Sequence, residues 1–80
     1  MSNLPDEDEV KEWIVERCAC SPRRTARTSE LFASWQAFAE KTSAWTGTPR
    51  GLSMVLERLE FRRWRSAKGR GFGGLAVRDA

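Results

Sequence analysis

The chain has 80 residues, a formal net charge of +3 at pH 7, two Cys and no His. This length allows one domain, and the lack of His removes the commonest general base of enzymes. Because nucleophile and nucleotide-binding motifs are also missing, the sequence predicts a binding domain without catalytic residues, and Cys18 and Cys20 are too few to hold a metal.

The first predicted element is a helix over residues 6–18, and the acidic N-terminal tail at 1–9 runs into it. Its first turn holds acidic side chains that the helix dipole stabilises: Asp6, Glu7, Asp8 and Glu9. Its apolar stripe has helical spacing and consists of Val10, Trp13, Ile14 and Cys18. Residues 19–24 contain Pro22 and are predicted as a loop, and residues 25–28 are predicted as a short edge strand.

Two further helices are predicted in the middle of the chain. The second begins at a cap on Thr28 or Ser29, ends near Lys41 and has a stripe made of Leu31, Phe32, Trp35, Phe38 and Ala39. In the connector at 42–47, Trp45 is expected to fold back into the core. The third helix, over 49–59, begins with Thr48 as N-cap and Pro49 in the first helical position, and its stripe is Leu52, Val55, Leu56 and Leu59.

The C-terminal part is predicted as a β-hairpin. Residues 61–66 mix aromatic and Arg side chains, residues 72–77 end in an apolar run, and a basic, Gly-containing loop at 66–71 joins them. The glycines are interpreted as turn and close-packing residues. The order of helix, short strand, helix, helix and two-stranded wing predicts an α+β winged helix-turn-helix domain over residues 6–78.

Charge is distributed unevenly along the chain. Residues 1–16 carry one basic and six acidic side chains, whereas residues 17–80 carry thirteen basic and five acidic ones. This asymmetry predicts an oriented contact with a polyanion, and the favoured partner is double-stranded DNA, with helix 49–59 in the major groove and the 66–71 loop on the backbone. The outward face of the third helix is predicted to carry Arg50, Ser53, Met54, Glu57 and Arg58. Glu57 is expected to pair with Arg50, with Arg58 or with a cytosine amino group. The predicted DNA contacts are Thr48, Arg50, Ser53, Arg58, Arg62, Arg63, Arg65, Lys68 and Arg70.

Four stretches between Val10 and Val77 carry a family resemblance: V-K-E-W-I-V-E-R-C, T-A-R-T-S-E-L-F-A-S-W-Q-A-F-A-E, G-L-S-M-V-L-E-R-L and F-R-R-W-R-S-A-K-G-R-G-F-G-G-L. Together they resemble the C-terminal winged-helix domain of phage- and plasmid-type DNA primase-helicases, a group related to the poxvirus primase-helicase. Thr28, Leu31 and Trp35 follow the family's second-helix pattern, although Trp35 stands where a Tyr is common. The resemblance implies a module that helps to load a replicative helicase-primase on DNA. The family's primase and ATPase domains are not part of this chain.

Two other binding functions remain open. The module is alternatively a protein-interaction winged helix that docks on other domains or subunits of a replication complex through its acidic first helix and exposed aromatic residues such as Trp45 or Trp64. A third reading is single-strand binding by stacking of bases on Trp64 and Phe72. No signal peptide or membrane span is predicted, so a cytoplasmic location with reduced thiols is expected.

Overall fold

The computed structural model describes residues 4–67 and 69–78. In chain order the elements are α1 (Glu7–Arg17), β1 (Cys18–Arg27), α2 (Thr28–Thr42), α3 (Pro49–Arg58), β2 (Arg62–Ser66) and β3 (Gly69–Val77). Three helices and one three-stranded antiparallel sheet make this a small α+β fold, and the predicted order of elements is confirmed. None of the helices within the described residues is long and apolar enough to cross a membrane.

Helix α1 begins where its acidic first turn predicts. The Asp6 carboxylate accepts a hydrogen bond of 2.9 Å from the Asp8 amide, which is the N-cap arrangement that satisfies a free N–H of the first turn. The helix buries Val10, Trp13 and Ile14 against the rest of the domain. It stops one residue earlier than predicted, because Cys18 is already extended and pairs with β3.

The sheet has the order β1-β3-β2, and strand β1 is longer than the short strand predicted from 25–28. Residues 18–20 pair with 75–77 and residues 25–27 pair with 71–73, with a register irregularity between the two paired parts. The predicted loop at 19–24 is therefore wrong, because all six residues lie in β1, although only Ala19 and Cys20 among them pair with β3. Pro22, which has no N–H to give to a ladder, lies in the unpaired part of the strand. The pairing of this polar segment comes from β3, far along the chain, and local composition does not show it.

Gly71 of β3 has the close-packing role that the sequence predicts, whereas Gly74 has a different role. A Cβ at Gly71 would overlap the Ala26 carbonyl oxygen, so the close approach of β1 and β3 requires glycine there. Gly74 has a φ of 91°, a left-handed conformation that L side chains rarely adopt. This second glycine accompanies a change of phase along the strand, which lets both Phe72 and Leu75 be buried although they are three residues apart.

The core lies between the helices and one face of the sheet. Trp13 and Trp35 are fully buried and meet edge to face, with ring centroids 5.9 Å apart. The Trp35 indole N–H donates to the Thr46 carbonyl at 2.8 Å, and this bond fixes the connector between α2 and α3. Trp45 remains 52% exposed, so its predicted place in the core is wrong.

Candidate nucleic-acid interface

A cleft of roughly 1030 Å³ opens between α2, the start of α3 and the β2–β3 hairpin. We refer to it as the arginine cleft. Its lining residues come from the end of β1, three turns of α2, the first turns of α3 and both strands of the hairpin: Arg27, Thr28, Ser29, Phe32, Ala33, Gln36, Thr48, Pro49, Arg50, Ser53, Arg63, Arg65, Gly69 and Arg70. Five of these residues are Arg, and none of the lining residues that the structure describes is an Asp or Glu.

Successive side chains of a strand point to opposite faces of the sheet, and this alternation determines which arginines of the hairpin reach the cleft. Arg63 is paired with Phe72 and Arg65 with Arg70 across the antiparallel ladder. Directly paired residues lie on the same face of a sheet, and Phe72 is buried in the core, so these arginines lie on the helix-covered face. Arg62 is one residue out of phase and lies on the opposite face.

An ion pair joins the hairpin to α3 at the edge of the cleft. The Arg63 guanidinium donates to the Glu57 carboxylate at 2.9 Å, and both side chains are partly exposed. The sequence anticipated a partner for Glu57 but named Arg50 or Arg58, and the structure selects Arg63 instead. Because Glu57 and Arg63 neutralise each other, Glu57 does not repel an anion in the cleft, and the pair adds no net charge there.

The first turn of α3 presents its residues to the cleft as a consequence of the Thr48-Pro49 start. The Thr48 hydroxyl oxygen accepts a hydrogen bond of 3.0 Å from the Gly51 amide, which confirms Thr48 as the N-cap. Arg50 follows in the first turn and is exposed at the cleft.

Ser53 was predicted on the outward face of α3, and this placement is wrong. Ser53 is only 9% exposed, and its hydroxyl donates to the Pro49 carbonyl at 3.0 Å. The buried arc of α3 is wider than its apolar stripe indicates, because it also includes Gly51 and Ser53. Ser53 still lines the cleft, at its base rather than on an exposed ridge.

The nine predicted contact residues therefore divide into three groups. The structure brings six of them together in the cleft: Thr48, Arg50, Ser53, Arg63, Arg65 and Arg70. Arg58 lies away from the cleft, beside Leu4, Met54 and Glu57 in a shallow depression of about 400 Å³, and Arg62 lies on the far face of the sheet. Lys68 lies outside the described residues.

Sequence reasoning missed the cleft residues contributed by the β1–α2 junction and by α2. The Thr28 hydroxyl donates to the Arg70 carbonyl at 3.3 Å, which ties the start of α2 to β3. The Arg27 amide donates to the Glu30 carboxylate at 3.4 Å, so this acid is occupied at the helix start. The N-cap of α2 is Arg27, so the predicted cap on Thr28 or Ser29 is wrong. Two signals in the sequence point to these residues: Arg27 directly precedes the predicted helix, and Gln36 lies on the polar side of α2.

The cleft is suited to anions rather than to metal ions. Guanidinium groups stay protonated in proteins and match phosphate oxygens with a planar fork of donors. The starts of α2 and α3 both line the cleft, and each adds the positive end of a helix dipole. Among the described residues there is no group of three or more His, Cys, Asp or Glu side chains that could hold a metal.

The two thiols lie in different surroundings, away from the cleft. Burial, reinforced by the neighbouring Cys20 and opposed by Arg78, raises the pKa of the Cys18 thiol to about 12. Cys18 is therefore protonated at neutral pH and belongs to the core, as its place on the apolar stripe of the sequence indicates, whereas Cys20 is exposed.

Comparison of the chain with known protein-family models, with curated proteins and with solved structures finds no match. The arrangement of the cleft is thus the main source of functional inference.

Proposed function

We propose that the chain is a DNA-binding module of the winged-helix type, and that its arginine cleft holds the phosphate backbone of duplex DNA. The observation that carries this proposal is the convergence of five Arg side chains from four elements of the fold on one cleft. Among the described residues its lining has no carboxylate, and the nearby Glu57 is paired with Arg63. Phosphate contacts of this kind supply most of the sequence-independent affinity for DNA.

The element order and the sheet order support the winged-helix assignment. Helix, strand, helix, helix and hairpin follow one another, and the first strand pairs with the last one at the edge of the hairpin. In this assignment α3 is the recognition helix and the β2–β3 hairpin is the wing.

The proposed contact differs in one respect from the one that the sequence predicts. The exposed middle of α3 carries Met54, which is apolar, and Glu57, which is paired with Arg63. Neither side chain favours a negatively charged partner. The proposed contact is therefore the first turn of α3, at Thr48 and Arg50, together with the wing at Arg65 and Arg70.

The resemblance to primase-helicases supplies the proposed biological setting. A small module of this kind would bring DNA to a helicase-primase that other domains or subunits provide. The described lining residues of the cleft all belong to this chain, so the proposal is tested by measuring DNA binding on this chain alone.

Strand β2 offers a matched pair of variants for the test. Arg65→Glu reverses a charge in the cleft, and Arg62→Glu makes the same change in the same strand on the opposite face. Fluorescence anisotropy with a labelled duplex of about 15 base pairs should show a loss of about tenfold or more for Arg65→Glu, and a change within about twofold for Arg62→Glu.

Salt dependence adds a second readout to the same titrations. The slope of log affinity against log salt should become shallower by about one for Arg65→Glu, because each phosphate contact contributes about 0.9. Equal losses for both variants would assign the affinity to net charge alone, and unchanged binding of Arg65→Glu would remove the cleft from the interface.

A second candidate function is docking on a protein partner, and the exposure of Trp45 favours it. Trp45 is 52% exposed in the connector between α2 and α3, and Met54 is 49% exposed on α3. Large exposed apolar side chains of this type are common anchors of protein interfaces. Absence of DNA affinity at low salt, in the titrations above, would favour this function over the first.

A further inference from the structure

We infer that the arginine cleft receives an unpaired nucleic-acid strand where it leaves a duplex, with a base placed against Phe32. This inference rests on the proposed function and deepens it by naming the DNA structure that the module prefers. It replaces the single-strand site predicted at Trp64 and Phe72. Phe72 is fully buried, and Trp64 lies on the face of β2 opposite the cleft.

The two walls of the cleft differ in chemistry. The hairpin wall carries Arg63, Arg65 and Arg70, whereas the α2 wall carries Phe32, Ala33 and Gln36. A duplex turns its phosphates outward on all sides and keeps its bases stacked inside. It therefore offers no unstacked base that could contact the apolar α2 wall. An unpaired strand presents phosphates on one side and bases on the other, and proteins that bind single strands combine a cationic track with an aromatic platform.

Two side chains on α2 provide the contacts that a base requires. Phe32 is half-buried, which fixes its ring in the core while part of it faces the cleft. Gln36 follows one turn later and is exposed, and its amide both donates and accepts hydrogen bonds at a base edge. Phe32 is thus the platform for stacking, and Gln36 is the polar group beside it.

The test compares a blunt duplex with extended duplexes that differ from it only in an unpaired extension. A blunt duplex of about 15 base pairs is titrated beside the same duplex with an extension of about five nucleotides, at either the 3′ or the 5′ end. The wild-type chain should bind one extended duplex at least about fivefold more tightly than the blunt one, which corresponds to the stacking of a single base.

Two variants identify the residues responsible for that ratio. Phe32→Leu keeps an apolar side chain in the core but removes the ring, and Gln36→Ala removes the amide from an exposed position where folding is not at risk. Phe32→Leu should bring the ratio of the two affinities close to one. Gln36→Ala should lower the ratio in part. Thermal melting of both variants checks that the fold is retained.

A base analogue gives an independent readout of stacking. With 2-aminopurine at the first unpaired position, the wild-type chain should change its emission on binding, and Phe32→Leu should not. An equal affinity of the wild type for blunt and extended duplexes would overturn this inference and leave the proposed function intact, as would a preference that both variants retain. Failure to bind either duplex at low salt would instead contradict the proposed function itself.

Discussion

The two faces of the β2–β3 hairpin carry similar residues and differ in almost everything else. On the helix-covered face, Arg63 and Arg65 join the arginine cleft beside Arg70. On the opposite face, Arg62 and Trp64 stand across the ladder from Gly73 and Gly71, neither of which has a side chain. The helix-covered face has charged groups that line the arginine cleft. The opposite face, which we call the open face, has the Trp64 indole across the ladder from Gly71.

This contrast shows that the number of arginines in a segment is a poor measure of a binding site. Residues 62–65 hold three Arg in four positions, but the alternation of the strand sends one of them to the far side of the sheet. A charge run becomes a site only where the strand period and a second element bring its members together. Here the second element is α2, whose start is tied to β3 through Thr28 and Arg70.

The largest effect on this comparison is expected from a change that separates the strands. Gly71→Ala places a Cβ against the Ala26 carbonyl oxygen. This oxygen belongs to the backbone, so a change of side-chain rotamer cannot relieve the overlap. The pairing of β1 with β3 should be lost or displaced, and the free energy of unfolding should fall by about 2–4 kcal/mol in urea denaturation. The affinity for DNA should fall with it, because both walls of the cleft depend on that strand.

Gly73→Ala is the matched control for this variant. The nearest atoms to a Cβ at Gly73 are 3.9 Å away, which is ordinary van der Waals contact. Its unfolding free energy should stay within about 1 kcal/mol of wild type. Equal losses at Gly71 and Gly73 would show that glycine flexibility, rather than the close approach of β1, controls the stability of the sheet.

Much of the fold could be predicted from sequence because its signals are local. The acidic cap of α1, the Thr48-Pro49 start of α3 and the apolar stripes at helical spacing each specify an element without reference to the rest of the chain. Strand β1 behaved differently. Its polar residues form a strand only because β3 supplies a partner more than forty positions later, at Gly71 to Val77.

The candidate site was predictable in composition but not in shape. Charge and spacing located six of the cleft residues, yet they placed Ser53 outward and included Arg58 and Arg62, which lie elsewhere. The angle at which α2 packs against α3 determines which residues of α3 are buried. The α3 sequence alone does not specify that angle. Arg27 and Gln36 have signals of their own in the sequence, but only the folded chain shows that they line one cleft together with Phe32.

A smaller effect is expected from a change at the start of α3, where Arg50 lines the arginine cleft. Thr48→Ala removes the hydroxyl oxygen that accepts from the Gly51 amide and should lower the free energy of unfolding by about 1 kcal/mol. Thr48→Ser keeps the oxygen and should restore most of that stability. If Thr48→Ser is as unstable as Thr48→Ala in urea denaturation, the threonine methyl group rather than the cap stabilises the helix start.

The smallest effect is expected on the open face. The Trp64 indole nitrogen is buried and has no hydrogen-bond partner among the described residues, so its N–H has lost water without a protein acceptor in return. Trp64→Phe keeps an aromatic ring over Gly71 and removes that donor. The smaller ring loses packing contacts, which destabilises the fold, whereas removal of the unpaired N–H stabilises it. Because these effects oppose each other, the free energy of unfolding should stay within about 1 kcal/mol of wild type. The affinity for duplex DNA should not change, because the ring lies on the face away from the cleft. A loss of DNA affinity in a folded Trp64→Phe variant would show that the open face also takes part in binding, and the contrast between the two faces of the hairpin would no longer hold.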